Sequence, residues 1–291
     1  MKTNVLMLDT LKGMKSLIFS AFLLSNRQKR KLRIVYLEDF NWVSSANYLG
    51  ITPASLGAGM ELAESQIRSD YQKAASEIRR VLDEYLSEHS EHVPYSYELR
   101  EHNRLEYIEE LLVDDPEMLL LVSNYSSVSS TAGGAVHYPN ILDKVACPVL
   151  VVPDDQTFDS FGNLLYATAL HREDIDAIGS LVELFGDAVA PKLTVFHHHP
   201  DDDFEHQMKW LGFQAMVTEA VPQVTPQFHL AKGKDLDAEL EDFVRGGDFD
   251  LLAALKERKG FFADLFGSSH THELIRHFNK PVLVYHEKQN E

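Results

Sequence analysis

The 291-residue chain carries 45 acidic against 27 basic residues, a formal charge of −18. Its 44% hydrophobic and 25% charged content is that of a globular protein and excludes global disorder, because enough apolar surface exists to offset chain entropy. Neither half is a basic module: residues 1–153 hold 15 basic and 20 acidic groups, and residues 154–291 hold 12 and 25. Nucleic acid is therefore not an expected partner, since phosphate binding relies on clustered Lys and Arg. The single cysteine, Cys147, excludes an internal disulfide framework, fits a reducing cytoplasm and reads as a small buried hydrophobe.

The first element is an apolar strand at Asn4–Asp9. The apolar run Lys15–Leu24 behind it is too short to span a bilayer, which needs about 20 residues. Arg27–Lys31 stands where a signal peptide would place small residues, so the run reads as a buried helix and no membrane partner is expected. A second strand covers Leu32–Leu37. Residues 42–60, with Gly50, Pro53, Gly57 and Gly59, read as a long loop, and helical periodicity then runs from about Glu61 to Glu88. The first half continues with strand Val93–Leu99, helix Asn103–Leu112 and strand Met118–Val122. It closes on Pro148-Val149-Leu150-Val151, where proline opens the strand because no ladder N–H is needed there.

The second half repeats this plan. Strands at Asn163–Thr168 and Lys192–His197 precede a helix at about Asp202–Thr218. Strand Gln227–Ala231, helix Leu236–Val244 and strand Phe249–Leu255 follow, with Gly246 and Gly247 as the helix stop. The half closes on Pro281-Val282-Leu283-Val284, and Pro148 and Pro281 share their offset with Gly134 and Gly267. Alternating βα units dictate a mostly parallel sheet covered by helices. The expectation is two doubly wound, five-stranded, Rossmann-like α/β domains in tandem, residues 1–153 and 161–291, the first carrying an insertion at about 42–88. Residues 153–160 form the linker.

A five-strand α/β unit that ends in a Gly-Ser turn, a short helix and Pro-Val-Leu-Val resembles the universal stress protein domain, as does the segment 163–178. The resemblance covers nearly the whole chain as two copies, the first more divergent. It implies an adenine-nucleotide-alpha-hydrolase-like fold, a pseudo-two-fold pairing of the two closing strands that hides their edges, and a stress-response role in the cytoplasm. It also implies a nucleotide site, with ATP as the candidate cofactor. In nucleotide-binding members an acidic residue ends the first strand; Asp9 stands there in the first half and Ala169 in the second. Those members also carry Gly-x-x-Gly, nine residues, then Gly-Ser or Gly-Thr, whose backbone N–H groups and helix N-terminus receive phosphates.

Gly267-Ser268 matches that closing element, but Ala254 and Glu257 stand upstream, with only the out-of-register Gly260 nearby. In the first half Gly133 and Gly134 follow the hydroxyl-rich loop 123–131, while Leu121 and Asn124 occupy the upstream positions. Asp9, Gly133, Gly134, Gly260, Gly267 and Ser268 are thus the cofactor-binding candidates, and neither half keeps the whole set. Lys256, Arg258 and Lys259 form a small basic island at the equivalent edge of the second half, and His270 and His272 follow Gly267-Ser268.

Other chemistry is sparse. His197-His198-His199 with Asp201–Asp203 and His206 has metal-ligating residue types, but alternation sends His197 and His199 to one face and His198 to the other. The aspartates read as an N-cap and first-turn charge, so no metal ligand is assigned. There is no Gly-x-Ser-x-Gly elbow, zincin motif or Walker loop, and no catalytic set emerges. Three functional readings follow: a regulatory protein binding an adenine nucleotide in a degenerate site, a nucleotide-free interaction scaffold, and a slow metal-assisted nucleotide hydrolase. A homodimer or a protein partner is expected through the long helix near 61–88.

Overall fold

The structure is a computed structural model that describes residues 2–38, 53–124, 141–142, 144–153, 157–186, 191–200, 203–232, 235–256 and 280–287; the side chains of 53–64, 66, 67 and 237 are outside the description. The chain divides into two compact units, Met1–Cys147 with Val151–Phe158, and Pro148–Leu150 with Asp159–Glu291.

The first unit runs β1 (Thr3–Leu8), α1 (Met14–Gln28), β2 (Lys31–Glu38), α2 (Pro53–Glu88), β3 (Tyr95–Glu101), α3 (Arg104–Asp114), β4 (Leu119–Ser123) and the second half of β5 (Val149–Val152). The spatial order is β3-β2-β1-β4-β5. Parallel pairing sets Val5 beside Arg33 and Leu120, and Ile34 beside Tyr97. The chain turns away from β1 in opposite directions toward β2 and β4, so the β1/β4 boundary at the carboxyl edge is the topological switch point where such sheets bind ligands. β1 and β4 are buried on both faces, which accounts for their continuous apolar sequences.

The α2 helix starts at Pro53, eight residues before the periodic stretch predicted from sequence, so Gly57 and Gly59 lie in a helix and not in a loop. Proline at the first helical position needs no N–H partner. Each interior glycine costs only about 1 kcal/mol against alanine, which a 36-residue helix anchored farther along absorbs. That anchor is the row Ala74, Ile78, Val81, Leu82 and Tyr85, all buried. Tyr85 stacks on Phe22 of α1 at 4.4 Å and meets Phe19 edge-on at 5.0 Å.

The α3 helix begins under Asn103, whose side chain accepts from the backbone N–H groups of Leu105 (3.1 Å) and Glu106 (3.2 Å). Asn103→Ala is expected to lower the stability of the first unit by about 1 kcal/mol in urea unfolding. A loss under about 0.3 kcal/mol, the size of a neutral surface change, would deny the cap its role.

The second unit runs β6 (Asn163–Thr168), α4 (Arg172–Phe185), β7 (Lys192–His198), α5 (Phe204–Ala220), β8 (Gln227–Ala231), α6 (Leu236–Gly246), β9 (Leu251–Lys256) and β10 (Val282–His286). Its order, β8-β7-β6-β9-β10, repeats that of the first unit, again with parallel pairing. Here the switch point lies between β6 and β9. The first strand is tied in by Asp250, which accepts from the N–H groups of Gly162 (2.7 Å) and Asn163 (2.8 Å). Among the described residues no helix is long and apolar enough to cross a membrane. Cys147 is buried, and that burial pushes its thiol up to about 12, so it is not a reactive thiolate.

Candidate functional site

Asp9 follows β1 directly and therefore stands at the carboxyl edge of the first unit, half-buried. Its Oδ2 lies 3.2 Å from Nη1 of Arg104, the first residue of α3. A cation at a helix N-terminus opposes the helix dipole, and the Asp9 carboxylate offsets that cost. The pair is not legible in the sequence, where Asp9 stands only as the acid that ends the first strand.

Two further side chains complete this edge. Tyr36 on β2 is fully buried, and its hydroxyl has no hydrogen-bond partner among the described residues. Burial pushes that phenol far up, with Glu38, Asp9 and Asp70 adding to the rise and Arg104 opposing it. The ring of Tyr71 on α2 approaches to 6.1 Å. Asn124 follows β4, two residues beyond the last ladder pair Met7–Val122, and so stands at the height of Asp9. Its backbone N–H donates to the Val152 carbonyl at 3.0 Å, while its Oδ1 is buried without a partner among the described residues. Buried polar atoms left unpaired are uncommon and mark places where water or a ligand completes the bonding.

The equivalent edge of the second unit is built differently. Ala169 stands where Asp9 does, and the polar groups around it satisfy one another. The Asp174 carboxylate, buried in the first turn of α4, accepts from the Tyr166 hydroxyl (2.7 Å), the Thr168 hydroxyl (2.6 Å) and the His171 N–H (2.9 Å). Burial raises its pKa, and those donors oppose the rise. Thr168 also accepts from the Leu170 N–H at 2.9 Å, which holds Leu170 in a left-handed conformation at φ 65°.

His197, buried at the end of β7, donates from Nδ1 to the Thr168 carbonyl at 2.8 Å. A neutral imidazole then has only Nε2 left as an acceptor, and His206 Nε2 sits 2.8 Å from it, donating. Burial lowers His197 to about 4, with the neighbouring His206, His199 and His198 adding to the fall. His206 is lowered as well, by burial first and by His199 next, against Asp203. His199 stacks on His206 and pairs with Asp203 at 3.1 Å. Asp203 is the N-cap of α5, accepting from the His206 N–H at 2.8 Å, in line with the capping role read from sequence. Among the described residues no group of three or more His, Cys, Asp or Glu is arranged to hold a metal ion.

The remaining sequence candidates, Gly133, Gly134, Gly260, Gly267 and Ser268, lie outside the described residues, as do His270, His272, Arg258 and Lys259. Sequence reasoning misses Arg104, Tyr36 and the Tyr166–Thr168–Asp174 network. The available signal is an arginine directly after a capping asparagine, a placement the helix dipole disfavours unless an anion is near.

No protein-family model matches the chain, and no curated protein matches it in sequence. Solved structures do match. A universal stress protein from Archaeoglobus fulgidus DSM 4304 shares 11% identity at a TM-score of 0.66, covering 99% of this chain and 97% of its own. A provisionally assigned universal stress protein from Pseudomonas aeruginosa UCBPP-PA14 shares 14% identity at a TM-score of 0.56, covering 98% and 93%. A protein of unknown function from Pseudomonas aeruginosa PAO1 gives 14% identity, a TM-score of 0.51, and 98% and 92% coverage. The chain has the universal stress protein fold from end to end.

Proposed function

We propose that this chain is a cytoplasmic, universal stress-type regulatory protein with two domains, 1–153 and 161–291, and that its ligand site is the carboxyl edge of the first. The observation that carries this reading is the pair of buried polar atoms, Tyr36 Oη and Asn124 Oδ1, that have no partner among the described residues, at the carboxyl edge that holds Asp9 and the β1/β4 switch point. A ligand rich in hydroxyls and ring nitrogens would satisfy them, and an adenine nucleotide, ATP first, is the class that the sequence resemblance implies. Asp9 would accept from the ribose end while Arg104 fixes the carboxylate. Gly133 and Gly134 would approach the phosphates. Gly260, Gly267 and Ser268 would serve the second domain, where Ala169 removes the acid.

The test is a melting curve with and without Mg–ATP, together with native mass spectrometry of the protein as purified. ATP is expected to raise the melting temperature, and Asp9→Ala to abolish the rise while Gly267→Val leaves it intact. A mass free of adducts, unchanged by ATP, rejects the ligand reading. The interaction scaffold then stands in its place, a reading favoured by the Asp9–Arg104 pair, which already occupies the one acid that the resemblance requires. Turnover of ATP that chelator removes would instead bring back the hydrolase.

A further inference from the structure

The start of α5 is fastened to the second unit through one ring. From Asp203 to Lys209 every residue is exposed except His206, and the first buried side chain of the helix is Trp210. His206 meets His197 of β7 edge to edge, Nε2 to Nε2 at 2.8 Å with the ring planes 14° apart. On its face it stacks against His199, with ring centroids 3.3 Å apart. Asp203 closes the cluster: one carboxylate oxygen accepts from the His206 N–H at 2.8 Å, and the other lies 3.1 Å from His199 Nε2. So short a helical start is marginal in water without tertiary contact, so these imidazole contacts keep it in place.

We propose that this cluster is an acid-released latch: His206, seated against His197 and His199, clamps the start of α5 over the carboxyl edge of β7, and protonation frees residues 203–209 while the rest of the second unit stays folded. This does not rest on the ligand reading above. The clamped geometry needs neutral rings. His197 spends Nδ1 on the Thr168 carbonyl of β6, so a proton on its Nε2 would set two donors against each other. His206 lies in the first turn of α5, at the positive end of the helix dipole, where a cation is disfavoured. The groups around the two rings weigh the same way. His198 and His199 on β7 and Lys209 on α5 oppose a cation, Trp210 is apolar, and only the Thr168 carbonyl and Asp203 favour one. Burial, the largest cause for both rings, lowers them too. The clamped form thus refuses a proton that the released form takes, so the clamp is complete above the ordinary imidazole value of 6.5 and weakens as pH falls below it. Asp203 is not the trigger: the His206 N–H and then His199 lower its carboxyl further below 3.8, so it stays charged through that range. Release uncovers the ends of β6 and β7, the edge at which open α/β sheets take ligands, and so makes access to that edge depend on acidity.

A nitroxide on the full chain tests this, because the native Cys147 is buried and stays unlabelled. One label sits at Met208→Cys, exposed within the latched segment, and a control at Ala215→Cys, exposed beyond Trp210. The Met208 label is expected to be mostly immobile at pH 7. Its mobile-to-immobile ratio should rise by about tenfold at pH 5, since each proton taken up on release changes that ratio by at most about tenfold per pH unit. The Ala215 label is expected to hold one spectrum throughout. Adding His206→Ala should leave the Met208 label mobile at pH 7 and remove its response to pH. Three results overturn the proposal: a Met208 label that stays immobile down to pH 5, one that mobilises only together with the Ala215 label, and an acid response that survives His206→Ala. The second would mean that the unit unfolds as a whole, and the third that the ring is not the clamp.

Discussion

Asp174→Ala is expected to destabilise the second unit by about 3–5 kcal/mol. The carboxylate is buried and gathers three donors: the Tyr166 hydroxyl, the Thr168 hydroxyl and the His171 N–H. Tyr166 and Thr168 are themselves buried, so neither hydroxyl can turn to water when its acceptor goes. Each donor stranded in this way costs about 1–3 kcal/mol, more than a hydrogen bond contributes when made. The first turn of α4 loses its capping box at the same time. Asp174→Asn keeps one acceptor oxygen but turns an amide toward a donor, and is expected to lose about half as much. Urea unfolding followed through the buried Trp210, which reports on the second unit, measures both. A loss below about 1 kcal/mol for the alanine variant would mean that the network relaxes onto other partners and does not hold the turn.

The fold was legible because its signals are local and repeated. Pro148 and Pro281 open matching strands, and the β6 boundaries read from sequence, Asn163–Thr168, are those of the structure. Strands such as β3 and β9 sit one or two residues later than periodicity alone indicates, because ladder pairing and not side-chain pattern decides where a strand begins. The start of α2 was hidden for a different reason. Gly57 and Gly59 lower helix propensity, yet the cost is small once the buried row from Ala74 to Tyr85 has fixed the helix.

The site was legible only where one residue sufficed. Asp9 can be placed from the end of its strand, and alternation correctly pairs His197 with His199, since a single ring, His206, stacks against both. Arg104 cannot be placed that way: 95 residues separate it from Asp9, and only the strand order β3-β2-β1 brings the start of α3 over the end of β1. The His197–His206 bond is likewise a product of two elements. It exists because Asp203 caps α5 and so sets the first turn of that helix above the end of β7.

That bond leads to the second large effect, an acid-labile second unit. In the unfolded chain His197 titrates near 6.5, and in the folded one burial lowers it to about 4. Between these values the unfolded state binds a proton that the folded state refuses, so stability must fall as pH falls. The stabilisation is fully present above pH 6.5, declines through the window, and is spent below about pH 4; 2.5 pKa units set its size at about 3 kcal/mol. Every group facing the ring but one works in this direction or is neutral. His198 and His199 on its own strand and His206 on α5 add repulsion once charged, Trp210 is apolar, and only the Thr168 carbonyl on β6 favours the cation. Protonation also removes the Nε2 lone pair that accepts from His206, which converts a hydrogen bond into two opposed donors. His197→Gln, which cannot titrate, is expected to start less stable at neutral pH and to lose about 3 kcal/mol less than the wild type on going from pH 6.5 to 4. Urea midpoints across that range, read again through Trp210, compare the two slopes. Equal slopes would assign the acid lability to carboxylates elsewhere in this acidic chain and remove His197 from the account.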